Sequence, residues 1–278
     1  MHPHAPSPEF QGVAAQAGLG HWQTAYRPRP TRIAVPLTVA GVIYIAVVAC
    51  LAGSNLLANG FGLIMLAIFT VFIGLGVLNL AHMKRRSGAG DELHFFEHGL
   101  IIKGPKTLVS VFHWDDALVY QRLFHYPQTG LTTYNYLLTD DANAPIAIGD
   151  PKGAASSALV NLDGDLADFT LGAAFDRPDQ WGPAIQSAIT NAQLPNVLAR
   201  ITSGEKVRFG RLALTRHALV VEGTTIPWTD LQQITVKDGT AAFKSGGRFF
   251  RTREQVYAIP NFFVFKEAVQ ARSGLTWT

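Results

Sequence analysis

Two segments of this chain repeat one pattern. "HFFEHGLIIKG" begins at His94 and "LALTRHALVVEG" at Leu212. Each is a short apolar strand, a His followed by Gly-Leu or Ala-Leu, a second apolar strand, and a Gly. The offset between the copies is 119 residues at His98 and His217 and at Gly104 and Gly223, 114 at Trp114 and Trp228, and 111 at Ile148 and Ile259. Small changes of offset place the length differences in loops. The order of features is kept throughout: paired strands, Gly, a Trp-x-Asp (Trp114 with Asp116, Trp228 with Asp230), further strands, then a helix. One supersecondary unit is therefore used twice, which restricts the fold more than any other feature.

The flanking segments fit an antiparallel reading, with short apolar runs bounded by Gly, Pro, Asp and Asn. In the first series strands are expected at 93–97, 100–103, 109–113, 118–124, 132–138 and 144–148. A helical stretch around "DRPDQWGPAIQSAITNA" closes it, with Asp176 suited to cap, Pro178 to the first turn and Asp179 to the positive end of the helix dipole. In the second series strands are expected at 207–209, 212–215, 219–222, 231–236, 241–244 and 248–251. The closing helix lies in "IPNFFVFKEAVQARSG", opened by Pro260 and ended by Gly274.

The other strong feature is an absence of charge. From Ile33 to Met83 there is no Asp, Glu, Lys or Arg, and two apolar runs, 33–53 and 61–82, are each long enough at 1.5 Å per residue to reach the roughly 30 Å of a bilayer core. They read as a transmembrane α-hairpin, against the plainer alternative of two buried core helices. Arg27, Arg29 and Arg32 before it and Lys84, Arg85 and Arg86 after it place both termini on the cytoplasmic side of a cell membrane, as a multi-pass protein with membrane lipid as integral partner. A cleaved leader fits poorly, because the first apolar run starts only after 32 residues.

The expected organisation is a disordered tail over 1–32, rich in Pro, Gly and Ala; the hairpin over 33–83; a basic linker over 84–92; a first β domain over 93–200; and a second over 201–278. Cys50 is the only cysteine, so no disulfide framework or thiolate metal site forms within one chain. The net charge of +3 comes from the flanks of the apolar runs and is not a nucleic-acid footprint.

The hairpin "x-H-G-L" or "T-R-H-A-L", the following "W-D-D" or "P-W-T-D-L" and the closing "I-P-N-F" helix resemble bacterial pleckstrin-homology-like domains found behind transmembrane helices in membrane proteins. The resemblance covers about residues 91–273 and is clearer in the second copy. It implies a transmembrane α-hairpin plus an α+β region: two tandem bent β-sandwich or partly open barrel domains, each with a C-terminal helix. It implies no ligand, because that fold hosts lipid binders, peptide binders and scaffolds. The first copy departs from the pattern with the acidic insert 151–169.

Candidate chemical groups weigh against their structural readings as follows. His94, His98, His113 and His125 suggest a metal site only loosely, since the close pair straddles a turn and no Cys supports it. Asp115 with Asp116 reads as a turn device rather than a catalytic pair, as Asp230 repeats the position. His98, Trp114, Asp116, His217, Trp228 and Asp230 read as structural marks of the repeat, with the two Trp as core anchors. No phosphate-loop, nucleophile-elbow or metalloprotease motif occurs. No cofactor or metal is expected.

Charge asymmetry rises above this background. Residues 91–179 hold 5 basic and 13 acidic groups, whereas 199–278 hold 12 basic and 6 acidic. Part of the excess lies in "KSGGRFFRTR", where Lys244, Arg248, Arg251 and Arg253 are interleaved with Phe249 and Phe250. Three readings stay open: contact with anionic headgroups or a protein partner, pairing with the acidic first domain, and plain solvation. The expected function is a membrane-anchored, non-catalytic binding or scaffolding protein. The alternatives are a membrane-bound enzyme with a site between the β domains and a small oligomeric transporter.

Overall fold

The structure, a computed structural model, describes residues 6–29, 34–53, 64–76, 91–104, 109–126, 128, 130–140, 145–149, 170–246 and 252–278. The chain divides into two compact units, one of residues 1–28 with 90–278 and the other of residues 29–89.

In the second unit, helix α2 (Ala34–Gly53) and helix α3 (64–76) pack through Tyr44. Its ring lies parallel to that of Phe69 at 6.3 Å, and its hydroxyl is 3.2 Å from that of Thr70. Among the described residues no helix is long and apolar enough to cross a membrane. The expected transmembrane hairpin is therefore corrected, and with it the multi-pass cell-membrane placement with cytoplasmic termini.

The first unit is built of small sheets and is mostly antiparallel. Strands β1 (Trp22–Tyr26), β2 (Glu92–Phe96), β3 (Gly99–Lys103) and β4 (Val109–His113) make the first sheet in that order. Strands β5 (Leu118–Tyr126), β6 (Leu131–Thr139), β7 (Ile146–Gly149) and β8 (Thr170–Leu171) make the second, with β8 parallel to β7. Helix α4 (Pro178–Thr202) follows. The third sheet holds β9 (Val207–Phe209), β10 (Leu212–Leu214), β11 (Ala218–Val221) and β12 (Thr224–Pro227); the fourth holds β13 (Leu231–Lys237), β14 (Thr240–Ser245) and β15 (Thr252–Gln255). Helix α5 (Phe262–Ser273) ends at Gly274, whose φ of 70° is the left-handed stop that glycine adopts without cost.

The repeat is visible atom by atom. The Trp114 N–H donates to the His98 carbonyl at 3.0 Å and the Trp228 N–H to that of His217 at 3.1 Å. The indole of Trp114 donates to the Phe96 carbonyl at 3.3 Å and that of Trp228 to Thr215 at 3.1 Å. Phe96 and Thr215 are again 119 apart, so both Trp side chains latch the same point of the same hairpin.

The expected tail is corrected as well. Residues 8–16 form helix α1 (Pro8–Gln16), and 22–26 form β1. Tyr26 lies opposite Leu93, and Ala25 opposite His94. In the second half Phe209 lies opposite Leu212 and Arg208 opposite Ala213, the same register shifted by 119 at β2 and β10. Strand β1 is thus the first strand of the repeat, and the apolar unit is inserted between it and β2. Where the second half closes this hairpin with Gly210 and Arg211, the first makes an excursion over residues 27–92. Gly210 has φ of 63°, and a Cβ there would lie 2.7 Å from the Ala258 carbonyl oxygen; the first position of such a two-residue turn is a glycine place.

Helix α1 covers the outer face of the first sheet. Phe10, Ala14 and Leu19 bury themselves against Phe96 and Ile101, with Val109 and Val111 half-buried beside them. A helix of nine residues is too short to persist alone in water; this apolar face holds it.

The halves share one core instead of forming independent domains. A continuous cluster runs from Phe95, Trp114 and Tyr136 through Trp181, Ile185 and Ile189 of α4 to Phe209, Phe243 and Phe265. Trp181, Ile185 and Ile189 recur every fourth residue and so line one helix face. At the seam sits Asn261, 2% exposed and left-handed at φ 48°. Its N–H donates to the Val119 carbonyl and its side-chain oxygen accepts the Val119 N–H, both at 2.8 Å. Its amide nitrogen donates to the Ala117 carbonyl at 2.9 Å and to Gln193 Oε1 at 2.8 Å. Gln193 in turn donates to the carbonyls of Trp114 and Ala117, both at 2.9 Å. One side chain of the second half thus pairs the buried backbone where the first half turns into β5, at a place where unpaired groups are costly. The halves are pairs of small antiparallel sheets sharing this seam, not two separate pleckstrin-homology-like domains.

Candidate functional site

Side chains alternate across a strand, so the fourth sheet sorts its residues by register. Asp238 and Gly239, at φ 50° and 72°, make the two-residue turn with both central residues left-handed that an Asp-Gly pair favours between β13 and β14. Lys237 is thereby set opposite Thr240, Thr235 opposite Ala242 and Gln233 opposite Lys244; β15 adds Arg253 opposite Ala242 and Gln255 opposite Thr240. The inner face carries Ile234, Ala241 and Phe243, all fully buried.

Lys237, Lys244 and Arg253 therefore share the outer face and are exposed. None of the outer positions Gln233, Thr235, Lys237, Thr240, Ala242, Lys244, Arg253 and Gln255 holds a carboxylate. Two other cations are engaged elsewhere: Arg200 of α4 pairs with Glu205, and Arg211 with Glu222 at 3.3 Å. Glu254, the acidic residue of β15, points inward opposite Ala241, where Oε1 accepts the Gln255 N–H at 2.9 Å. Sorting acid inward and base outward leaves a face of one sign, which raises the local potential for anions.

Of the residues expected to form a basic site, Lys244 and Arg253 come together here. Arg248, Phe249, Phe250 and Arg251 lie outside the described residues, in the connection from β14 to β15. Lys237 is the addition. The Asp-Gly turn was its signal, because such a turn sets 237 opposite 240 and so on the face of 242 and 244.

The other candidates lie apart. His98 and His217 are exposed at their hairpin turns. Asp116 and Asp230 are exposed turn residues whose N–H groups reach the His113 and Pro227 carbonyls at 3.3 and 3.0 Å. Asp115 is exposed beside them. His94 is buried under Phe10, its ring stacked at 5.0 Å, with Nε2 2.7 Å from Glu92. His113 is half-buried at the end of β4, and His125 is exposed, 3.2 Å from the Thr132 hydroxyl. Among the described residues no group of three or more His, Cys, Asp or Glu could hold a metal. Asp176 does not cap α4; its carboxylate accepts the Arg27 N–H at 3.1 Å, and the residue preceding the helix is Arg177 at φ 50°.

Burial raises the proton affinities of Tyr26, Asp91, Tyr134 and Tyr136. It raises Asp91 to about 6, with Lys103 opposing. It also holds the Tyr136 hydroxyl well above its usual range, with the hydrogen bond from Gln186 opposing. Tyr136 donates to the Gly182 carbonyl at 3.0 Å and accepts from Gln186 at 2.7 Å. It ties α4 to β6 in the core.

Residues 154–274 match a family of unknown function (DUF6585). This is under half of the chain, taking in α4 and the second half as far as Gly274, the basic face included. The match carries neither the pleckstrin-homology-like resemblance nor a membrane hairpin. No curated protein and no solved structure matches the chain.

Proposed function

We propose that this chain is a non-catalytic binding protein that takes a polyanionic partner on the outer face of its fourth sheet. The observation that carries the reading is the convergence of Lys237, Lys244 and Arg253 on one rigid face with no carboxylate among its described positions. Each such cation contributes about 1 kcal/mol near an anionic surface. The connection from β14 to β15 adds Arg248 and Arg251 in sequence, with Phe249 and Phe250 between them. Pairing with the acidic first half finds no support: no ion pair joins these three cations to it among the described residues.

The test uses the full chain with K237Q, K244Q and R253Q combined. Binding is measured to an acidic polypeptide and to vesicles of anionic or neutral phospholipid, at low and high salt. Three lost cations predict roughly 100-fold weaker binding to whichever polyanion binds, with a shallower salt dependence. Equal binding by both proteins, or no binding to any polyanion, overturns the reading.

A further inference from the structure

We infer that two copies of this chain exchange their N-terminal segments, residues 6–28 of one copy completing the first sheet of the other. The argument starts from the twin hairpins. In the second half, two residues join β9 to β10, and so short a turn forces the strands to pair within one chain. In the first half the same pair of strands, in the same register, is joined through residues 27–92. A two-residue turn leaves no other partner within reach, whereas a connection that runs through a separate compact unit does not impose that limit by its length.

Among the described residues, the contacts that hold segment 6–28 in place are made with residues 93 and beyond. Strand β1 pairs with β2. The His21 carbonyl accepts the Glu97 N–H at 3.0 Å and the Leu19 carbonyl the His98 N–H at 2.9 Å. Pro28 bridges to Phe175, and the Arg27 carbonyl accepts the Asp176 N–H at 2.8 Å. Phe10, Ala14 and Leu19 fill the outer face. The same contacts form unchanged when the segment comes from a second copy, the condition for exchange of an identical element.

The inserted unit supplies a reason for two copies to meet. Val42, Ile45 and Phe72 on its helices are 67%, 68% and 69% exposed, and apolar patches of that kind mark association surfaces. Self-association there would bring two N-terminal segments to two β2 edges, so that exchange competes at a high effective concentration.

The test is a crosslink in the full chain with Cys50→Ser, Ala25→Cys and His94→Cys. Residues 25 and 94 are strand partners, close enough for a disulfide. After oxidation, a band of twice the chain mass on a non-reducing denaturing gel is expected. A band at the monomer mass shows pairing within one chain and overturns the inference. The unsubstituted protein gives an independent reading by light scattering: a dimer is expected, and a monomeric mass overturns the inference even if the substituted chain does not fold.

Discussion

The two halves of the β body place their backbones alike and use their side chains differently. In both, a Trp indole latches the first hairpin and a left-handed residue precedes the closing helix: Arg177 at φ 50° before α4, Asn261 at φ 48° before α5. Arg177 is exposed and its side chain makes no capping bond, whereas Asn261 is buried and joins the halves. The outer faces differ too. His94, Phe96 and Ile101 lie under α1, while the equivalents Ala213, Thr215 and Val220 have no helix over them among the described residues. Repetition fixes the path of the chain; the chemistry at equivalent points has drifted apart, and function is to be sought where the halves disagree.

The largest effect is expected at the left-handed pair. Asn261→Ala leaves the buried Val119 N–H without an acceptor and places alanine at a φ it dislikes, for a loss of about 3 kcal/mol. Arg177→Gly removes a strained φ from an exposed position and should change stability by less than about 1 kcal/mol, upward if at all. Urea unfolding of both variants measures the contrast. Equal losses would mean that the seam does not depend on the Asn261 side chain.

Next comes the covered face. Phe10→Ala removes the aromatic that stacks on His94 and lies 5.4 Å from the Lys103 ammonium. A loss of about 2–3 kcal/mol is expected, below that of a deep core Phe because α1 can detach as a unit. Hydrogen exchange should quicken in β1 and β2 while β9 and β10 keep their rates. Uniform quickening in both halves would show that α1 stabilises the whole body and not one sheet.

How much of this was legible follows from distance along the chain. The repeat, eleven of the fifteen described strands and both closing helices are local patterns of alternation, turn residues and Gly stops. Strand β1 was not legible, because its partner lies some 67 residues away and its five residues resemble a polar tail. The one available clue was the aromatic at 26, opposite Leu93 as Phe209 is opposite Leu212. The seam was hidden for the same reason: Asn261 sits in a recognised motif, but its partners at 117, 119 and 193 are remote. The apolar runs were read as a bilayer-spanning hairpin from composition alone, and among the described residues no helix meets that requirement.

A pH effect should belong to the first half alone. Asp91 has its carboxyl raised to about 6 by burial, and its counterpart at the 119 offset is Gly210. The folded state holds this proton more tightly than the unfolded chain, so stability falls as pH rises from about 4 through 6 and stays lower above. After discounting for partial solvation, the drop should be about 1–2 kcal/mol. Asp91→Asn should flatten that part of the curve in urea titrations between pH 4 and 7. An unchanged slope would assign it to other groups.

The smallest effect distinguishes a continuous core from two domains in contact. Trp114→Phe and Trp228→Phe each remove one indole donor from a strand carbonyl, at about 1 kcal/mol apiece. Trp114, at 5% exposure, should cost somewhat more than the half-buried Trp228, because the Phe96 carbonyl it leaves is harder for water to reach. The two share no hydrogen-bond partner, so separate domains would give additive losses within about 0.5 kcal/mol. Yet both pack on the same apolar cluster, and the Trp114 carbonyl is held by Gln193, which also binds Asn261. Loosening the first hairpin should therefore be felt at the seam. A double variant whose loss departs from the sum by more than that margin would show that the halves unfold as one body; strict additivity would confine each latch to its own hairpin.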